Sequence, residues 1–402
     1  IDTELATVPA PEDVPQVLMI SQVRRNHFDV AGTKMANLGE IANSVGLTVP
    51  DGFVITTAVY RRLITVNDLQ TEIDRLLQAH QSEELDELFV LSSRLQQLIL
   101  TAEVPPDITK AIEEAADAIR PVADSTFAIR SSALGEDAAG VSFAGQYESL
   151  LNVRRSHLVD SYLEIIASTY TPQAMQYRKQ HGLRDDQVAM SVGCLEMISA
   201  RSGGVAYSGN PGDDRDQNFH ISSAWGLPKA IVDGRFASDL VVVRRGDPPE
   251  IAAREIGDKQ SQFVCHPREG VRRAAVADEM RRQPSISEDK ALQIAHATLR
   301  LEDHFGTPGD VDWAINQDDQ LMVLQCRPLT PSRGAVDRSP PPDAPAPAIR
   351  GGVNASPGAA AGPVHWVSRD ADALTFRRGS VLTLCQPLPR WAALLDLSLI
   401  HI

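Results

Sequence analysis

From about residue 17 to 125 the apolar positions fall mostly at helical spacing. Met35, Leu38, Ile41, Ala42 and Val45 lie on one face of a segment opening at Lys34, and Gly46 is suited to end it. Leu85, Leu88, Phe89, Leu95, Leu98 and Ile99 outline a second amphipathic helix. Asp107 is the expected N-cap of another that runs towards Ile119. A short strand, Phe53 to Thr57, follows the Pro50-Asp51-Gly52 turn. Beyond residue 126 alternation takes over, predicting strands at Phe127–Arg130, Val188–Met197, Gly204–Ser208, Phe219–Ala224 and Leu240–Arg244. Ser285 with Glu288 has the form of a capping box opening a helix that reaches His304.

Gly309–Asn316 and Leu321–Arg327 alternate around Gln317-Asp318-Asp319-Gln320 and predict a hairpin. A four-residue loop pairs Asn316 with Leu321 and sets Asp312 opposite Gln325. Val311, Trp313 and Ile315 then share an apolar face with Met322, Leu324 and Cys326, while Asp312, Gln325 and Arg327 share the other. Opposed Cβ atoms lie about 5 Å apart, so a carboxylate and an amide oxygen could hold one hard cation such as magnesium. A cross-strand hydrogen bond with an Arg–Asp pair fits the pattern equally well.

Residues 331–350 carry six prolines and four alanines without apolar periodicity, which reads as an extended linker. Five segments follow: an arm at 1–16, units at 17–200 and 201–330, the linker, and a last unit at 351–402 that looks too short to close a core. Because the chain starts at Ile1 rather than Met, a beginning further upstream is expected. The 402 residues, 43% hydrophobic and 23% charged, suit a multidomain globular protein. A net charge of −15 argues against nucleic acid and anionic membranes as partners. No run is long and apolar enough to cross a bilayer. Cys194, Cys265, Cys326 and Cys385 form no CxxC pair and read as free thiols, which suits a cytoplasmic location. No two histidines have metal-ligand spacing, and His365 reads as structural or superficial. Arg268, Arg272, Arg273, Arg281 and Arg282 read as a solvated helix face.

Two further motifs suit a polyanion. Gly32-Thr33-Lys34 opens a helix, where a lysine opposes the dipole unless an anion neutralises it. A surface lysine beside a loop glycine fits the same pattern. Arg130-Ser131-Ser132-Ala133-Leu134-Gly135-Glu136-Asp137, continuing to Ser142-Phe143-Ala144-Gly145-Gln146, leaves a strand for a glycine-bearing polar loop that can cradle phosphate. A polar surface loop with Arg130 in a structural ion pair is the alternative.

Taken in chain order, the three motifs resemble the nucleotide-binding part of the phosphoenolpyruvate synthase and pyruvate phosphate dikinase family. Gly32 to Glu40 is similar to its GGK-x-A-x-LGE opening, Val49–Phe53 to its VPxGF turn, and the Arg130 and Ser142 segments to its RSSA-xx-ED…SFAGQ signature. Ser223–Leu227 and Leu324–Pro328 match two more segments. The resemblance implies an α+β fold of ATP-grasp type, two subdomains clamping ATP, followed by an incomplete α/β swivelling domain. It implies that Lys34 and Arg130 bind ATP phosphates, Asp312 and Gln325 hold Mg2+, and Arg327 stabilises the transferred phosphoryl group, with Arg130 and Arg327 catalytic. The implied reaction passes a phosphoryl group from ATP through a phosphohistidine to pyruvate. The histidine loop and the pyruvate-binding barrel are expected outside this chain, although Ala355–Gly358, Gly362–Val364 and Pro389–Trp391 resemble the start of the mobile domain. A non-catalytic nucleotide-binding domain, or a relative acting on a glucan or an antibiotic, remains open, and a homo-oligomer is compatible. Thr33 replaces a glycine, Asp312 a glutamate, Leu134-Gly135 the common Thr-Ala, and Pro228-Lys229 a Gly-Glu.

Overall fold

A computed structural model describes residues 14–79, 85–122, 124–134, 147–183, 188–211, 216–232, 236–329, 361–369, 372, 375–384, 394 and 398–401. Most of the arm, residues 135–146, the linker, 355–358, 389–391 and Cys385 lie outside them.

The first body is a five-stranded antiparallel sheet of β1 (Val17–Met19), β2 (Gly52–Ile55), β3 (Thr126–Ala133), β4 (Ser149–Arg154) and β5 (Met190–Glu196), ordered β1-β2-β5-β3-β4. Its helices are α1 (Phe28–Glu40), α2 (Thr57–Val66), α3 (Leu69–Ala79), α4 (Leu85–Leu100), α5 (Pro106–Ile119), α6 (Leu158–Ala167) and α7 (Pro172–Gln180). Period-two alternation divides the sheet's faces. Phe53, Ile55, Phe127, Ile129, Val192 and Cys194 pack among residues of α2–α6, whereas Val54 and Leu195 pack with Met35 and Leu38 of α1. Arg130 and Ser132 therefore share the α1 face.

The second body is a six-stranded antiparallel sheet of β6 (Ala200–Tyr207), β7 (Phe219–Trp225), β8 (Asp239–Arg244), β9 (Glu250–Glu255), β12 (Gly309–Asn316) and β13 (Leu321–Pro328), ordered β13-β12-β6-β7-β8-β9. The hairpin β10 (Ser261–Cys265) and β11 (Val271–Ala275) and the short helix α8 (Lys229–Val232) accompany it. Ile294 and Leu301 of α9 (Glu288–Phe305) cover one face, against Ile221, Val241, Val311, Trp313 and Val323. Ile41, at the end of α1, joins this core, so one helix is shared by both bodies. Further on, β14 (Val364–Val367), β15 (Ser380–Leu384) and β16 (Ser398–His401) form a parallel sheet over Val367, Phe376, Leu382 and Leu394.

Several boundaries differ from expectation. The strand after Gly52 ends at Ile55, because Thr56 already stands at the N-cap position of α2. Asp107 lies inside α5 rather than capping it, and its carboxylate receives Gln16 and Arg62. Ser287, not Ser285, caps α9 by accepting the Lys290 amide, while Ser285 is buried against Asp239. The basic cluster is not a helix face. Arg272 and Arg273 stand on β11, and Arg281 pairs with Asp258. The apolar pattern does not mark the strands β1, β4, β9, β10, β11 and β16; β9 and β11 lack a continuous apolar face.

The hairpin β12–β13 corrects one register and keeps another. Ile315, not Asn316, pairs with Leu321, and Trp313 pairs with Val323. Asp319 adopts a left-handed conformation (φ 61°), and the Asn316 amide donates to Gln320 O, so the loop is one residue tighter than counted. A bulge between Asp312 and Trp313 then restores the count, and Asp312 faces Gln325 as expected. Val311, Trp313 and Ile315 consequently pack with Leu321, Val323 and Cys326, while Met322 lies opposite Ala314.

Candidate functional site

The site begins at an interruption in α1. Gly32 has φ 68° and ψ 164°, so the helix turns aside there and restarts at Thr33 and Lys34. A Cβ on Gly32 would stand 2.0 Å from Ser132 O and 2.4 Å from its Oγ, and only glycine permits that approach. Ser132 Oγ accepts the Met35 amide at 3.2 Å and donates to Ala31 O at 2.9 Å. Thus β3 is bonded to the start of the helix that carries Lys34.

Two residues back on the same face of β3, Arg130 reaches the second body. Its Nη2 donates to Gln325 Oε1 at 2.5 Å and lies 4.0 Å from Asp312 Oδ2. Its Nη1 donates to Leu324 O at 2.8 Å. Leu324 is the residue left over at the bulge, so this irregularity turns a carbonyl outward for Arg130. On α1, Asn37 donates to Cys326 O at 3.5 Å. Arg327 is held differently, with Nε and Nη2 both on Asp310 Oδ2 at 2.8 and 2.7 Å.

These charges meet at Asp312. Burial raises its carboxyl above the ordinary value of 3.8, and Arg130, Arg327 and Lys34 oppose that rise. The four groups therefore share one electrostatic neighbourhood. Tyr207 belongs to it as well: burial, then Asp310, push its phenol up to about 12, with Asp312 adding to the rise and Arg327 opposing it. Tyr207 and Asp310 were missed from the sequence because β6 pairs with β12 across about a hundred residues, Tyr207 opposite Asp310. The polar alternation of Asp310 with Asp312 was the available signal.

As a cation site the donor set is thin but chemically apt. Among the described residues no group of three or more His, Cys, Asp or Glu side chains converges. One carboxylate opposite one amide oxygen suits a hard cation whose remaining ligands are water and phosphate oxygens. Gln325 Oε1 here accepts from the Arg130 guanidinium.

A strap joins the bodies elsewhere. Asn152 (φ 59°, buried) donates from Nδ2 to His266 O and Gly270 O, both at 2.8 Å, and its carbonyl accepts the Gly270 amide at 3.0 Å. Glu269 accepts the Arg154 amide at 3.0 Å and lies 2.8 Å from His157 Nδ1. The tip of the β10–β11 hairpin is thereby fastened to β4. Trp225 and Leu227 line a cavity of about 230 Å³ with Ala200 and Arg201, at the far end of β6 from Asp312's partner Val205. His365 packs against Phe376, and Cys194, Cys265 and Cys326 are free thiols. No described helix is long and apolar enough to cross a membrane.

Comparison with known proteins gives this arrangement a context. The family model described as "Pyruvate phosphate dikinase, AMP/ATP-binding domain" matches residues 28–344. A protein named probable phosphoenolpyruvate synthase from Methanocaldococcus jannaschii is 31% identical over 372 residues, 91% of this chain and 31% of its own. Another so named, from Methanothermobacter thermautotrophicus, is 30% identical over 385 residues, 95% of this chain and 55% of its own. The rifampicin phosphotransferase of Bacillus subtilis is 28% identical over 319 residues, 78% of this chain and 36% of its own. The chain spans about a third to about half the length of these relatives.

Proposed function

This chain belongs to the pyruvate phosphate dikinase AMP/ATP-binding domain family, and we propose that it binds Mg-ATP between its two sheets and passes a phosphoryl group to a histidine carried on a separate domain. Lys34 and Arg130 bind the phosphates in this reading. Asp312 and Gln325 hold magnesium, and Arg327, steadied by Asp310, faces charge on the transferred group. The cation, when bound, screens the triphosphate. The protein's own part is placement and charge neutralisation, which carry most of phosphoryl-transfer catalysis. Since a single carboxylate and an amide make a weak cage, the metal arrives with the nucleotide.

The observation that supports this best is convergence: Arg130 of β3 lies 4.0 Å from Asp312 Oδ2 and bonds Gln325, and Lys34 of α1 and Arg327 of β13 also oppose the upward shift of the Asp312 carboxyl. Pyruvate is the proposed final acceptor, reached through a phosphohistidine and a barrel domain, with 351–402 as part of the swivelling unit. The rifampicin phosphotransferase relative favours, as a second reading, the same transfer to a different acceptor.

Equilibrium binding of ATP with magnesium tests the first step. A charged hydrogen bond contributes about 1.5–3 kcal/mol, so Lys34→Ala and Arg130→Ala should each weaken binding at least about tenfold. Wild-type protein that ignores ATP at about millimolar concentration with magnesium present, equivalent to less than about 4 kcal/mol of binding, ends the proposal. Supplying a phosphohistidine domain and finding no acid-labile phosphate on it would leave a nucleotide-binding module without transfer chemistry.

A further inference from the structure

We infer that Ser132 is the positioning residue for Lys34, acting across the α1–β3 junction as the side-chain cap that Gly32 cannot supply. The inference rests on the Mg-ATP reading and adds to it a residue whose hydroxyl is engaged by the Met35 amide and the Ala31 carbonyl.

Helices ordinarily begin with a residue whose side-chain oxygen accepts the amide two or three positions on. Here the residue before Thr33 is Gly32, turned out of the helix at φ 68°. It has no side chain to do this, and none would fit, given Ser132 O 2.0 Å from the Cβ position. Ser132 performs the task from the neighbouring strand. Its hydroxyl accepts the amide of Met35, the third residue of the restarted helix, at 3.2 Å. The same hydroxyl donates to Ala31 O at 2.9 Å, on the other side of the kink. One oxygen thus spans the interruption and holds both sides to β3.

The junction is rigid. Ser132 is fully buried, and its own carbonyl accepts Ser191 Oγ of β5 at 2.7 Å, which ties the strand to the middle of the sheet. Arg130 stands on the same face of the same strand, bonded to Gln325 and Leu324 of β13. β3 therefore acts as a common rail. It sets Arg130 directly and Lys34 through Ser132, and so fixes the separation of the two cations that meet the triphosphate. Without the hydroxyl, the first turn of the helix can shift about Gly32 while Arg130 keeps its place. Lys34 would then lose its register to the phosphates with no change in its charge.

The test is a double-mutant cycle read by equilibrium binding of ATP at fixed free magnesium, on the whole chain. Ser132→Ala is expected to weaken binding about tenfold, the scale of a lost helix cap expressed as affinity. In a Lys34→Ala background the same substitution should cost less than about twofold, because a residue acting through Lys34 has nothing left to position. Melting temperature without nucleotide, measured for every variant, records any general destabilisation. Full additivity of the two substitutions, or unchanged ATP affinity in Ser132→Ala, overturns the inference. Gly32→Ala guards against a poorly folded Ser132→Ala: it keeps the hydroxyl but displaces the junction sterically, and it should show the same non-additivity with Lys34→Ala. If Lys34→Ala and Arg130→Ala themselves leave ATP binding intact, the nucleotide reading fails first, and the two failures are told apart.

Discussion

Replacing Lys259 by methionine is expected to destabilise the second body severely, through an interaction far from any catalytic role. Lys259 and Asp239 are 0% and 1% exposed and form a direct ion pair. Asp239 Oδ1 also accepts the Gly257 amide at 3.1 Å, and Oδ2 accepts Ser285 through its amide at 2.8 Å and its hydroxyl at 2.7 Å. The lysine gives a further proton to Gly257 O at 3.1 Å. The carboxylate thus joins the start of β8, the approach to β10 and the approach to α9. Methionine fills a similar volume but leaves a buried carboxylate without its cation, a change that costs about 3–5 kcal/mol. Three hydrogen bonds persist at Asp239, so the lower end, about 3 kcal/mol, is expected. Domains are commonly stable by only about 5–15 kcal/mol, so such a loss is large. Urea unfolding followed by tryptophan fluorescence should show a midpoint lowered by about 1–3 M, taking m at about 1–3 kcal/mol/M. Adding Asp239→Asn removes the stranded charge and should recover part of the loss. The reasoning is refuted if Lys259→Met costs less than about 1 kcal/mol, since that means the buried carboxylate does not depend on its cation.

Other consequences follow from the same contacts. Asn152→Gly keeps the left-handed backbone but deletes both Nδ2 bonds to the hairpin tip. Hydrogen exchange around residues 266–270 should rise while the core of the first sheet stays protected, and unchanged exchange would deny the strap. For Glu40, burial alone would raise the carboxyl, but the Arg25 amide, Ser44 and His304 together hold it below the ordinary 4.5. A depressed acid contributes stability above its unfolded value and loses it as pH falls through the folded one. The Tm advantage of wild type over Glu40→Gln should therefore be larger at about pH 5 than at about pH 3; an advantage that grows on acidification over that range contradicts the sign. Asp310→Asn removes the carboxylate bonded to Arg327 Nε and Nη2. In an assembly supplying the acceptor histidine it should slow phosphoryl transfer about tenfold or more while changing ATP affinity by less than about threefold, and equal losses in both would place Arg327 in binding instead.

Much of this was legible in the amino-acid order. Local periodicity marked α1 and the helical turn Ile41–Val45 that Gly46 ends, the long helix ending near Phe305 and the central strands, because each buries one face and repeats at its own period. The opposition of Asp312 and Gln325 could be counted from the turn, although the count succeeded through two compensating shifts: a left-handed Asp319 and a bulge at Leu324. Neither follows from polarity alternation, which is blind to a one-residue slip that is later repaired. The ordered motifs around Lys34, Arg130 and Arg327 also carried the family resemblance, since each is a short contiguous run.

Only the tertiary structure decided the rest. Tyr207 enters the site, Asp310 holds Arg327, Ser132 caps a helix that begins 99 residues before it, and Asn152 receives a hairpin tip more than a hundred residues away. The buried Lys259–Asp239 pair belongs to the same class. Residues distant in sequence become partners through strand order and sheet packing, and these are set by which apolar faces can be buried together. Local spacing records what each segment presents; which surface receives it is a property of the whole chain.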